Sequence, residues 1–451
     1  MSGIDLATAR ALSHRLADEQ SQARLPSLAA GLVRGGDLVW SDAVGTLDGR
    51  SGGAVPTAQT PYRLGSITKT FVAVEVLRMR DQGLLDLNDA LAQHIDDTPF
   101  GQVTIAQLLS HTSGLQAETN GPWWERTAGV TWAQLMAGKP ALKFRSGAKF
   151  HYSNLGYAVL GELIGRLRGR PWADVVRADL LEPLRMRRTS ARPGDAAAHG
   201  LGVHPLADLV HVEPEHDAAA MAPAGQLWST VEDLARWAAF LAGQTAGLLN
   251  ADTLEEMRSP IALDDRSGAA WTGAYGLGCQ LWNLDGARYA GHGGSMPGFL
   301  AGLRVNIETG DGCVVFANAT SGLGDVSTDL MTLLADREPI PPEPWSADSE
   351  QVSVLDLTGD WYWGTTAFTM SATRGGSLLL GEPGAGRGCR LKPVTGGWIG
   401  LDGYYSGETL TVVREGSGRV SHLDLGSFRF SRTPYDQGAD IPGGVDPSGW
   451  H

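Results

Sequence analysis

The sequence predicts a mixed α and β chain in two parts. The first, residues 1–337, builds one sheet from its two ends with an all-helical subdomain inserted between them, and the second, residues 350–451, is an all-β barrel. Three observations lead there. Strand-like runs in the first part are confined to residues 27–40 and 275–316. The stretch from about 84 to 245 reads as helix or loop. Then Pro339, Pro341, Pro342 and Pro344 make a stiff, extended linker over 338–349, beyond which short β-rich runs alternate with glycine turns. With 451 residues, the chain has room for about three domains at roughly 150 residues each.

In chain order, residues 4–24 have the spacing of an amphipathic surface helix. Segments 27–33 and 38–40, joined by Arg34, Gly35, Gly36 and Asp37, predict a β-hairpin. Ile67, Phe71, Val74 and Leu77 recur at helical spacing, so a largely buried helix opens at Ser66 and ends near Gly83. Helical signals follow over 105–109, 157–163 and 233–241. Strand character returns over 275–282, 299–305 and 313–316, and a helix over 324–336 closes the first part. The runs 361–363, 378–380, 409–413 and 428–430 are the expected barrel strands.

Composition narrows the function. A net charge of −14 and a pI near 5.2 argue against nucleic acid and anionic membrane as partners. No apolar run approaches the ~18 residues of a membrane span. The N-terminus lacks the charged and apolar regions of a signal peptide, so the expected location is the cytoplasm. Cys279, Cys313 and Cys389 are scattered without a CxxC pair, which speaks against a disulfide framework or a thiolate zinc site. His211 and His216 are separated by Pro214 and have no evident third ligand, so neither metal nor other cofactor is expected.

The chemistry centres on Ser66 and Lys69. Positions i and i+3 share a helix face, which sets hydroxyl and amine side by side. A lysine among apolar neighbours loses hydration, and its pKa falls toward the range of a base. The free N–H groups at the helix start favour negative charge on whatever Ser66 attacks. This is the apparatus of an activated serine nucleophile. Only five lysines occur in the chain, which gives the pairing more weight. Ser146 and Lys149 repeat the spacing, but in a glycine loop that would not desolvate them. Gly49, Ser51 and Gly53 match the form of a nucleophile elbow without its buried strand and following helix. Tyr152 is a phenol suited to relay protons, its pKa lowered by the ammonium, and Asn154 would orient the lysine or hold a substrate amide. Gly291, Gly293, Gly294 and Gly298 surround His292 and let the backbone approach a ligand and offer an N–H to an oxyanion. There His292 is expected to face the cleft as a donor. The run from Ser110 through His111 to Gly114 reads as structural, a helix end tied down by polar groups. Trp123 and Trp124 either line a cleft or cap the helical region.

Ser66 and Lys69, Tyr152 and Asn154, and His292 and Gly294, in that order and spacing, resemble the penicillin-recognising serine hydrolases. More narrowly they resemble the class C β-lactamase/D,D-peptidase-like branch. Residues 108–115 and 225–234 match the same branch, and the resemblance spans about residues 8–336. It implies an α+β fold, an antiparallel sheet flanked by helices plus an all-helical subdomain. It also implies Ser66 as nucleophile, Lys69 as base, Tyr152 as proton relay, and Asn154 as partner of substrate and lysine. The oxyanion hole would use the N–H of Ser66 and one from the strand after His292, near Ser295 or Met296. His292 stands where penicillin-cleaving members usually carry Lys-Thr-Gly. Losing that fixed charge disfavours the carboxylate of penicillins. The C-terminal barrel makes the chain similar to penicillin-binding-protein-type thioesterases, which release and cyclise nonribosomal peptides from carrier proteins and carry a lipocalin-like module. That resemblance implies a peptidyl thioester or ester substrate and a peptidyl carrier protein as partner. Gly293, Gly294, Trp123, Trp124, Trp228 and Arg432 are the expected substrate contacts. An esterase, a D-aminopeptidase or a weak β-lactamase of the same superfamily is the alternative.

Overall fold

The computed structural model describes residues 4–194, 196–382 and 386–451. The chain divides into two compact units, Met1–Ile340 and Pro341–His451.

The expected hairpin forms as Ser27–Arg34 and Asp37–Gly45. Its first strand pairs antiparallel with Gly312–Ala317, Leu28 opposite Ala317 and Val33 opposite Gly312, so the two ends of the unit meet in one sheet. Phe299–Asn306, Ala287–Met296, Gln280–Leu284, Gly273–Tyr275 and Ala262–Leu263 extend it to eight strands. Both faces are covered, so the central strands are apolar throughout instead of alternating with polar residues. Leu28, Ala30, Leu32, Cys313 and Val315 face the helices Leu6–Gln22 and Val326–Arg337, while Ala29, Val33, Val314 and Phe316 face the larger core.

That larger core holds the Ser66 segment. Gly65–Ile67 is a 3₁₀ turn that runs into the helix Thr68–Asp81. Phe71, Val72, Val74, Val76 and Leu77 are all fully buried, so the helix is packed on every side. Phe71 stacks on Trp237 at 3.9 Å, and the Trp237 indole donates to Thr70 Oγ1 at 2.8 Å. Glu75, also fully buried, binds Arg168 Nη2 at 2.7 Å and Arg78 Nε at 3.2 Å. Breaking such a pair typically costs about 3–5 kcal/mol. It ties the Ser66 helix to Asn154–Arg168, the helix that begins with Asn154.

The insertion is clasped at its base, where Tyr62–Arg63 pairs with Trp228–Ser229. It contains the helices Ile105–Leu109, Trp132–Ala137, Asn154–Arg168 and Trp172–Val176. It is not wholly helical, because Leu201–Val203 and Val210–Val212 form a hairpin. The helix expected over 233–241 forms as Val231–Ala242 but packs on the sheet.

In the second unit eight antiparallel strands, from Gly359–Trp363 to Phe428–Ser431, close into a barrel with Tyr362 opposite Ser431. Trp361, Met370, Leu380, Leu391, Tyr405, Leu410, Leu423 and Phe430 fill its interior, as side chains do in small barrels. Among the described residues, no helix is long and apolar enough to cross a membrane.

Candidate active site

Lys69 is fully buried as the second residue of its helix, one turn beyond Ser66. Its Nζ donates to Ser66 Oγ at 2.8 Å, to Asn154 Oδ1 at 2.8 Å and to the Ala224 carbonyl at 2.7 Å. Three acceptors satisfy an ammonium, yet burial pushes the pKa down to about 7, with Glu118 and Glu125 opposing the shift. Near neutrality the amine exists in both forms, within proton-transfer distance of Ser66. The Asn154 amide is held in turn, its Nδ2 donating to Glu118 Oε1 at 2.7 Å. Glu118 Oε2 accepts from the Trp124 indole at 2.7 Å.

Tyr152 lies with its ring 5.0 Å from Lys69 Nζ. Burial raises the phenol's pKa and outweighs the pull of Ser66 in the other direction. The expectation of a pKa lowered by the ammonium is therefore corrected: Tyr152 remains a protonated phenol, able to donate, rather than a phenolate.

His292 also departs from expectation. It is 1% exposed, and its strand alternates so that Gly293 and Ser295, not His292, face outward. Nδ1 contacts the Gly293 carbonyl at 2.5 Å and must carry the proton, since a carbonyl only accepts. Nε2 then accepts from the Tyr275 hydroxyl at 3.0 Å. No ring N–H is left for the cleft. Burial, followed by the Lys69 charge, brings the imidazole pKa down to about 3, so it is neutral.

The glycines of the same strand bring two backbones together. A Cβ on Gly65, whose φ is +54°, would meet Ser295 N at 2.5 Å. One on Gly294 would meet the Leu64 carbonyl at 1.9 Å and Ser66 N at 3.3 Å. The Ser66 turn and the Ser295 strand thus lie backbone to backbone, as only glycine permits. Gly293 is exposed beside them, its N–H donating to Gln280 Oε1 at 2.8 Å.

The other expected contacts divide. Trp124 is buried against Glu118 and borders a cavity of about 140 Å³ with Val130, Leu135 and Met221. Trp123 is 61% exposed, its indole donating to Glu125 at 2.8 Å. Trp228 is a core residue, 1% exposed and edge-on to Phe299 at 5.1 Å, because its short strand sits at the base of the insertion. Arg432 is spent within the second unit: just past the last strand it donates to the carbonyls of Asp356, Thr358 and Asp360, and lies 3.8 Å from the Trp361 ring centroid. The second Ser/Lys pair is engaged elsewhere, Ser146 Oγ with the Ser113 carbonyl and Lys149 with the Phe144 ring.

Sequence reasoning missed Glu118, Tyr275 and the Ala224 carbonyl. A lone acid in a loop and a backbone oxygen leave no signature, and the run from Gly225 that it did notice stands one residue from Ala224.

Ser66, Lys69, Tyr152 and Asn154 thus come together where the antiparallel sheet meets the helical insertion. The Beta-lactamase family model matches residues 9–336. The chain belongs to the beta-lactamase family. A domain of unknown function, DUF7586, matches residues 350–432 in the barrel. Among curated relatives, Beta-lactamase-like protein 2 of Dictyostelium discoideum is 27% identical over 53% of this chain and 46% of its own length. Penicillin-binding protein 4 of Amycolatopsis lactamdurans is 28% identical over 70% of this chain and 87% of its own. The match therefore spans about half of the first relative and most of the second. Among beta-lactamase-like structures, the octameric penicillin-binding protein homologue from Pyrococcus abyssi aligns with a TM-score of 0.66 at 20% identity, over 93% of this chain and 99% of its own. SurE, also solved with D-Leu, aligns at 0.60 and 24%, over 94% and 99%. The D-stereospecific amidohydrolase from Streptomyces aligns at 0.59 and 25%, over 73% and 98%. At these identities the structural likeness speaks to the fold.

Proposed function

We propose that this protein is a serine acyltransferase of the penicillin-binding-protein type, a thioesterase of the class C-like branch that forms an acyl-Ser66 intermediate and resolves it with the peptide's own amine. One observation carries the chemistry: the Lys69 amine, pKa about 7, lies 2.8 Å from Ser66 Oγ. Neutral Lys69 takes the Ser66 proton as Oγ bonds to the thioester carbonyl carbon. The N–H groups of Ser66 and Ser295 hold the oxyanion, where losing one such donor typically costs about 10²–10³ in rate. The tetrahedral adduct collapses with cleavage of the C–S bond. Tyr152 gives its proton to the leaving sulfur and is refilled from the Lys69 ammonium. Attack by a free amine then releases a macrocycle, and attack by water releases the acid. Folding the chain in the cleft favours the amine through its effective molarity.

What favours a peptidyl thioester with a C-terminal D-residue is the reach of the likeness to SurE, which runs across both units, together with the D-Leu found in that protein. A carrier-bound thioester would be met in the cytoplasm, with the carrier protein as partner. Gly293 and Trp123 are the exposed candidates for substrate contact. The second reading, a hydrolase of simple esters or D-amino-acid amides, draws on the Streptomyces amidohydrolase, whose likeness stops short of the barrel's share of the chain. Strong β-lactamase activity is disfavoured, since neutral, buried His292 offers no charge to a carboxylate.

Mass spectrometry of the products from a peptidyl thioester with a D-terminus and a free amine tests this. A product at the mass of the peptide acid minus water, absent with Ser66→Ala, is expected. Free acid alone would make the protein a hydrolase. Undiminished turnover by Ser66→Ala would remove the acyl-enzyme altogether.

A further inference from the structure

His111 lies in the run that reads from sequence as a structural helix end, yet it packs on the proposed proton carrier. It is fully buried and holds a left-handed backbone, φ +57°, unusual for a residue with a Cβ. Its carbonyl accepts the His151 N–H at 2.8 Å, and its Nδ1 accepts the Ser153 N–H at 3.0 Å. The residues on either side of Tyr152 are thus pinned to one histidine. The imidazole stands 4.2 Å from the Tyr152 ring, centroid to centroid, tilted by 36°. Beyond it lie Tyr275 at 4.5 Å and Tyr157 at 5.2 Å.

The tautomer follows from these partners. Nδ1 accepts, so the proton of the neutral ring sits on Nε2. Nε2 has no hydrogen-bond partner among the described residues, although it is buried. A strained backbone and an orphaned donor are costs that simple packing does not explain. What the residue supplies in return is an acceptor at one point, directed at the N–H next to Tyr152. Ser153 in turn caps the helix that begins with Asn154, accepting from the Gly156 N–H at 3.0 Å. The bond from Ser153 to His111 is therefore the side-chain tie on the backbone between the phenol and the amide that holds Lys69, beside Ser153 Oγ donating to the Gln116 carbonyl at 2.7 Å and the Asn154 N–H donating to the Ala117 carbonyl at 2.8 Å.

We propose that His111 is a positioning residue for proton transfer, setting the Tyr152 phenol against Ser66 through the Nδ1 bond to the Ser153 N–H. The inference rests on the reading of Tyr152 as proton carrier. It makes no claim that His111 touches substrate. Its role requires an acceptor at Nδ1, not a proton to give.

A double-mutant cycle with a simple ester as substrate tests it. His111→Phe keeps a ring but loses the acceptor, and kcat should fall about 10²-fold, the scale of a misplaced catalytic group, with KM little changed. His111→Asn offers a side-chain carbonyl near the Nδ1 position and should restore kcat to within about tenfold of wild type. The combined His111→Phe/Tyr152→Phe variant should be no slower than Tyr152→Phe alone, because both changes remove the same step. Losses that multiply would make His111 merely structural and overturn the proposal. So would a His111→Asn variant as slow as His111→Phe. Should His111→Phe not melt cooperatively, His111→Leu runs the same cycle. A Tyr152→Phe variant as fast as wild type overturns the proton-carrier reading itself, whereas a slow Tyr152→Phe beside a fast His111→Phe overturns only the positioning role.

Discussion

Lys69 is poised between two protonation states, and the balance is set by burial against two carboxylates. Burial favours the neutral amine, while Glu118, hydrogen-bonded to Asn154, and Glu125 favour the ammonium. Acylation needs the neutral form, so kcat/KM should rise with pH through about 7 and level off above it. Glu118→Gln removes one of the charges that favour the ammonium. The inflection should then move to lower pH, by a modest amount because Glu118 is exposed to solvent. An unmoved inflection in the pH–rate profile would detach Glu118 from Lys69. Stability carries the same signature. Between about 7 and the ordinary 10.5 the unfolded chain holds a proton on Lys69 that the folded chain lacks. The free energy of unfolding should therefore increase with pH across that window, and this component should vanish in Lys69→Met when urea midpoints are compared.

At the level of elements, the site depends on a strand and a 3₁₀ turn meeting without side chains between them. Gly294→Ala would drive a methyl into the Leu64 carbonyl, 1.9 Å away, and separate the N–H groups of Ser66 and Ser295. The expected result is a fall in kcat of about 10²–10³-fold, as for loss of an oxyanion donor, with Lys69 still beside Ser66. A fluorophosphonate labelling rate equal to wild type would contradict it. Elements of this kind were legible in the sequence wherever one period dominated. The Ser66 helix, the first hairpin and the strands near residues 300 and 314 all announce themselves by spacing. Which way a residue points was less so. His292 lies in a glycine-rich strand whose parity no apolar alternation reveals, and it turns inward. Trp228 belongs to a two-residue strand whose partner is more than 160 positions earlier, so nothing local marks it as core. Arg432 ends on carbonyls near Asp356, a contact that barrel closure alone creates.

The whole molecule is two separately built cores. The first unit packs its sheet between two hydrophobic clusters, and the second encloses its own around Trp361 and Tyr405. The connection is shorter than the proline-rich stretch of 338–349 suggests. Glu338 is held on the first unit, its carbonyl accepting from Arg34 Nη1 at 2.5 Å and its Oε1 from the Asp5 N–H at 2.9 Å. On the second unit Arg374 donates to the Pro344 carbonyl at 3.3 Å and to Ser346 Oγ at 3.1 Å. Between these anchors stand Pro339, Ile340, Pro341, Pro342 and Glu343, a run that proline stiffens but that adds no core. Each unit should consequently fold by itself. Residues 1–340 made alone should melt cooperatively, label at Ser66 with a fluorophosphonate and cleave simple esters at close to the rate of the full chain, since Ser66, Asn154 and Ala224, the hydrogen-bond partners of Lys69, lie within it. Residues 341–451 should give the circular dichroism of a folded β protein and show no esterase activity. Turnover of the peptidyl thioester is then the discriminating measurement. If the first unit alone cyclises it as fast as the full chain, the barrel takes no part in handling the peptide. If ester cleavage survives while cyclisation is lost, the barrel contributes to binding the long substrate.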